Sequence, residues 1–150
     1  MSDARAPSEP IRRDVRRLLQ ESFELAVERD DDFPRLFYDV LFHRHPDIEE
    51  MFGERGRGQN TLDAQRRMFA QTLVAIIDHI EDEAWLVETL VPMGKTHLGY
   101  GVTARMYDYV CDALITAFAE TCAADWTPAH ERAWRGAYAH IADIMLRGAE

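Results

Sequence analysis

The stretch of this chain best suited to chemistry is Lys95-Thr96-His97-Leu98-Gly99-Tyr100-Gly101-Val102. An imidazole stands there at the end of one helical segment, glycines free the backbone directly after it, and a second helix begins beyond. A neutral imidazole so placed, among long apolar stripes, can ligate a metal ion. It also has a plainer use, since a histidine in a last helical turn interacts with the terminal carbonyls and needs no cofactor. Spacing alone favours the plainer use, and the remainder of the chain must decide.

Other polar groups narrow the field. Tyr38 shares a helix face with Leu41 and Phe42, so its phenol points inward and needs a partner. Gln65 lies one turn before Phe69 on a second apolar stripe, and an amide there is either solvated at the rim or hydrogen-bonded inside. His43 and His45 do not converge on one metal from a helix and read as surface residues. Asp30-Asp31-Asp32 suits a helix start, one carboxylate capping and the others favouring the dipole, better than a metal cluster. Cys111 and Cys122 fall on one helix, where eleven residues at a rise of about 1.5 Å each hold them beyond disulfide reach. They read as reduced packing residues with no zinc spacing.

The elements that position these groups are helical throughout. At 150 residues the chain suits one domain burying roughly 70% of its unfolded surface, with residues 1–9 a flexible arm and 10–150 the domain. A formal charge of -10 argues against nucleic acid or an anionic membrane surface as partner. With no apolar run of about 20 residues and no leader signature, cytoplasmic residence is expected. Ser8 and Pro10 open a helix carrying Ile11, Val15, Leu18, Leu19 and Phe23 to about Arg29. A second, with Phe33, Phe37, Tyr38, Leu41 and Phe42, stops at His45-Pro46, and a short turn through Ile48 reaches Met51-Phe52. Gly53 to Asn60 is one long irregular loop, after which Asn60 or Thr61 caps a helix to about Glu81. Its stripe is Phe69, Leu73, Ile76, Ile77 and Ile80, joined by Gln65 and Met68. Trp85 to Val91 is a short helical piece that Pro92 and Gly94 interrupt. Thr103 caps a long helix with Tyr107, Val110, Leu114 and Phe118 inward, and Thr127-Pro128 opens the last, with Trp134, Tyr138, Ile141 and Met145. No strand alternation or repeat appears. The expectation is an all-α protein of six to eight helices around one core.

Taken in order, Phe37-Tyr38 through Leu41-Phe42, His45-Pro46, Met51-Phe52, Thr72-Leu73-Val74-Ala75, His97, Met106-Tyr107 and Ala133-Trp134 through Ala137-Tyr138 to Ile141-Ala142-Asp143 form a pattern. It resembles the bacterial single-domain haemoglobins and the globin domain of flavohaemoglobins, from about Ile11 to Arg147. The resemblance implies a globin fold with haem b between the helix of Gln65 and Phe69 and the segment ending in His97. His97 then matches the proximal iron ligand, Phe52 the phenylalanine stacked on the porphyrin, and Tyr38 and Gln65 the two distal polar groups. Phe69 falls where the family places a leucine over the iron. Tyr107 matches a tyrosine beneath the haem that, in flavohaemoglobins, is networked with a late glutamate; Ala149 holds that position here, with Glu150 next to it. Phe37, Leu41 and Leu73 complete an apolar pocket, with core packing as their main task.

The chemistry implied is gas binding. Imidazole ligation leaves one axial site open, where oxygen, nitric oxide or carbon monoxide can bind. The Tyr38 phenol and the Gln65 amide would stabilise the partial negative charge that oxygen takes on, and a dry pocket would slow oxidation of the iron. Three functions stay open: reversible gas binding, oxidation of nitric oxide by a dioxygenase served by a separate reductase, and a haem-free helical interaction module.

Overall fold

In the computed structural model the backbone is described for residues 13–55 and 59–148, and the side chains for 14–51 and 63–148. The expected arm, the Ser8-Pro10 start, the Phe52 side chain and the Ala149-Glu150 end lie outside the described residues. The described residues form seven α-helices and no strand: α1 (Arg13–Arg29), α2 (Phe33–Arg44), α3 (Pro46–Arg55), α4 (Gln59–Asp78), α5 (Glu83–Gly99), α6 (Ala104–Cys122) and α7 (Pro128–Gly148). A 3-10 turn, Ala123–Asp125, joins the last two.

Local chemistry explains most of the boundaries. Thr103 caps α6 by accepting from the Met106 N–H, Asp82 caps α5 by accepting from Trp85, and Pro128 opens α7. Asp32 stands at the start of α2 but makes no capping bond; Asp30 instead accepts the Asp32 N–H at 2.9 Å in a local turn. The end of α6 is held from a distance, because Arg29 of α1 donates to the Cys122 carbonyl at 2.6 Å and pairs with Asp125.

Packing builds the core around α6 and α7. Helices α1 and α2 both lie on α6, α1 also meets α7, and α5 lies along α7 in the most extensive packing of the molecule. Phe118 sits between Phe33 at 4.7 Å, Trp134 at 4.5 Å and Trp126 at 5.7 Å between ring centroids. Each such ring buried is worth about 1.5–3 kcal/mol. The polar Ser22 is tolerated inside because its hydroxyl accepts from the Trp134 indole at 2.8 Å and donates to the Leu18 carbonyl at 2.8 Å.

Four expectations need correction. The turn at Pro46 and much of the supposed Gly53–Asn60 loop are helix: α3 reaches Arg55 and α4 begins at Gln59, so Asn60 and Thr61 lie inside α4, not at its start. Pro46 suits a first helical position, Asp47 and Glu49 favour the dipole, and Ile48 is buried, which together outweigh a glycine penalty of about 1 kcal/mol. More consequentially, α5 runs unbroken through Pro92 to Gly99. Pro92 forfeits one helical hydrogen bond, but Leu86, Leu90 and Gly94 are buried on α7, and that packing holds the helix together. A Cβ on Gly94 would lie 1.9 Å from the Met145 carbonyl oxygen, so glycine is what lets the two helices approach. Met68 is 58% exposed and leaves the α4 stripe, and His45 is half-buried, stacked on Tyr109 at 3.8 Å; His43 is exposed as expected.

Candidate functional site

The site is assembled from α2, α4 and α5. On α2, Phe37, Tyr38 and Leu41 are buried. Facing them, α4 presents Phe69, whose ring stacks on Phe37 at 4.5 Å with 4° between planes and meets Tyr38 edge-on at 5.6 Å. Gln65 hydrogen-bonds the Tyr38 side chain, so the amide is satisfied inside the structure by that phenol. Burial drives the Tyr38 pKa up to about 12, against smaller downward pulls from the Gln65 bond and the Arg66 charge. The phenol therefore keeps its proton at neutral pH and remains a hydrogen-bond donor.

On α5, His97 is half-buried and its Nδ1 lies 2.7 Å from the Met93 carbonyl oxygen one turn earlier. A carbonyl can only accept, so Nδ1 carries the hydrogen and Nε2 of the neutral ring keeps its lone pair. A second-sphere bond of this kind sets the tautomer of a ligating imidazole. Directly after it the chain turns the corner through Gly101, whose φ of 85° favours glycine, while the Val102 N–H returns to the His97 carbonyl at 3.0 Å. Tyr107, buried on α6, sits with its ring 6.3 Å from that of His97, and burial raises its pKa.

The two groups of residues stand on helices with different packing partners. Helix α4 packs on α2 and α1, α5 packs on α7, and α4 and α5 share no comparable packing. Apolar groups near the corner stay half-buried, Met93, Val102 and Met106 among them, and Leu98 is 51% exposed. The aromatic and amide groups of α2 and α4 thus stand on elements with different packing partners from the α5 segment that carries His97.

Tyr38, Gln65, Phe69, Phe37 and Leu41 are thus brought together by α2 and α4, and the His97 ring lies near that of Tyr107. Two contributors escaped the sequence reading. Met93 was hidden because α5 was expected to break at Pro92, which severs the four-residue spacing that joins it to His97. Arg66, with a side chain only 17% exposed, reads in sequence as one of two adjacent surface arginines. Elsewhere, a cleft lined by Glu21, Cys122, Asp125 and His130 gathers titratable groups, but no metal-holding cluster exists among the described residues.

The Globin family model matches residues 35–145. A flavohemoprotein of Bordetella pertussis is 24% identical over 89% of this chain, which covers 32% of that protein. Among solved structures, a bacterial globin from Campylobacter jejuni superposes with a TM-score of 0.74 at 19% identity, covering 92% of this chain and 96% of that one. Ferric Aplysia limacina myoglobin does so with 0.77 at 17% identity, covering 93% and 99%. The chain spans about a third of the length of the curated flavohemoproteins it matches.

Proposed function

The chain belongs to the globin family, and on that premise we propose that it binds haem b and, through it, oxygen or another diatomic gas. The observation that carries this reading is the Globin family match over residues 35–145, and the 2.7 Å bond from His97 Nδ1 to the Met93 carbonyl supports it by leaving Nε2 of a neutral ring available as a metal ligand. Haem b, held by His97, would supply an iron able to bind oxygen, nitric oxide or carbon monoxide.

The residues then divide the work. His97 ties the group to α5, its ring orientation set by Met93. Phe69, Phe37 and Leu41 would provide apolar surface on α2 and α4 and Tyr107 on α6, helping to exclude water, and Phe52, which lies outside the described residues, is expected to stack on the porphyrin. Tyr38 offers a phenol O–H that burial keeps protonated, and Gln65 offers an amide held against that phenol; both can donate to a ligand gaining negative charge. Donors fixed before the ligand arrives need no reorganisation, so slow oxygen release is expected. Phe69, bulkier than leucine, narrows the approach.

Oxidation of nitric oxide to nitrate is the second reading, favoured by the Tyr38–Gln65 pair and by the similarity to flavohemoproteins. It consumes one oxygen molecule and one electron per nitric oxide, so a reductase must return the electron.

Hemin titration tests the proposal. The purified chain should develop a strong Soret band at one equivalent, His97→Ala should abolish it, and His97→Gly should regain it with added imidazole. A chain that takes up no hemin, or a His97→Ala variant with an unchanged spectrum, overturns the assignment. Mixing the oxygen-loaded protein with nitric oxide then separates simple binding from rapid nitrate formation.

A further inference from the structure

Helix α4 has two faces, and the molecule uses one of them. Leu73, Ile76 and Ile77 are buried on the side that packs on α2 and α1. The opposite face carries Met68, Gln71, Ala75 and Asp78 at alternating steps of three and four, flanked by Arg67 and Val74, and of these six only Ala75 is as much as half-buried. Met68 is 58% exposed and Val74 42%, so apolar surface is spent on solvent. Steps of three and four are the seam along which one helix packs on another, whereas a helix facing only water carries polar groups there. The charges on this face are unused as well. Arg66 pairs with Asp63, but no ion pair within the described residues engages Arg67 or Asp78.

We infer that this face of α4 docks on the same face of a second copy of the chain, antiparallel about Gln71. With Gln71 on the two-fold axis, Met68 of each copy meets Ala75 of the other, the stem of Arg67 covers the other copy's Val74, and the two amides can exchange hydrogen bonds. Asp78 then stands about 4.5 Å along the helix from the level of the other copy's Arg67, within reach of its guanidinium. Both ends of the contact thus gain an ion pair. A parallel arrangement would set Arg67 on Arg67 and Asp78 on Asp78, so the charges select the antiparallel one. The face is one helix wide and about 17 Å long, less than the roughly 800 Å² that each partner of a standing interface buries. The dimer is therefore reversible and forms at high concentration, with or without a bound cofactor.

Sedimentation velocity of the purified chain between about 10 μM and about 1 mM tests this, in about 0.15 M salt to screen the repulsion between two copies of charge -10. Wild type should shift from monomer toward dimer across that range. Arg67→Asp and Asp78→Arg, each alone, should weaken association about tenfold or more, because like charges then meet at both ends of the contact. Both side chains are exposed, so circular dichroism of each variant should match wild type. An equimolar mixture of the two variants should dimerise again, since every cross pair in it is opposite in sign, and the chain carrying both substitutions should do the same. A wild-type chain that stays monomeric at the highest concentration overturns the inference. Single variants that associate like wild type, or a mixture that stays monomeric, also overturn it, by moving the contact to another face or register.

Discussion

Burial of Tyr38 has two separable effects. The phenol pKa of about 12 lies above its ordinary value of 10.0, so the folded state holds this proton more tightly than the unfolded chain does. The corresponding stability is fully present below pH 10 and is lost as pH rises through about 12. A shift of this size is worth at most about 3 kcal/mol. Tyr38→Phe removes the group that titrates. At pH 9 the variant should be less stable by about 1 kcal/mol through loss of the Gln65 bond, and by pH 11.5 the gap should close or reverse. Urea midpoints at the two pH values check the sign. The same substitution should speed oxygen release about tenfold or more, read by stopped-flow, because one donor is gone while the apolar shape is kept. Release at the wild-type rate would remove Tyr38 from the ligand's surroundings.

Between elements, the crossing of α5 and α7 sets where His97 sits. Gly94 and Gly148 bring backbone against backbone: a Cβ on Gly94 would stand 1.9 Å from the Met145 oxygen, and one on Gly148 would stand 2.2 Å from the Val91 oxygen. Neither obstacle is a side chain that can swing away. Gly94→Ala should therefore force the helices apart and destabilise by about 2–3 kcal/mol in chemical denaturation. It should also weaken hemin retention, since His97 lies less than one turn further along α5. Gly136 is the matched control on α7, with nothing within 4 Å of the position a Cβ would take. Gly136→Ala should stabilise by about 0.5–1 kcal/mol, because it relieves only the entropic penalty of glycine in a helix. If both substitutions behave alike, close approach is not what Gly94 provides.

For the molecule as a whole, α4 and α5 lean on different partners, α4 on α2 and α1 and α5 on α7. A group inserted between them would add contacts that neither helix makes alone. Haem should consequently raise stability by mass action, about 2.7 kcal/mol at a free concentration one hundred times its dissociation constant. Amide exchange should slow most in the last two turns of α5 and along the Gln65–Leu73 face of α4. Equal protection with and without hemin would mean that the group does not bridge these helices. A formal charge of -10 adds that any acidic partner must overcome repulsion, so a docking reductase is expected to present a basic face.

The helical class, the order of the elements, the caps at Thr103 and the Thr127-Pro128 start follow from the chain alone, because a 3.6-residue stripe and a side-chain cap are local properties that survive in any packing. The position of His97 before a glycine corner is likewise local. What the tertiary structure decided are the matters in which a small local penalty meets a larger packing term. Pro92 stays inside α5 because α7 holds the flanking turns; the loop after Phe52 shrinks because helices on both sides run on; and the Gln65 amide finds the Tyr38 phenol from another helix, where sequence spacing does not reach. Arg66 shows the limit most plainly: adjacent arginines look alike in sequence, and only the approach of α2 to α4 makes one of them a buried charge.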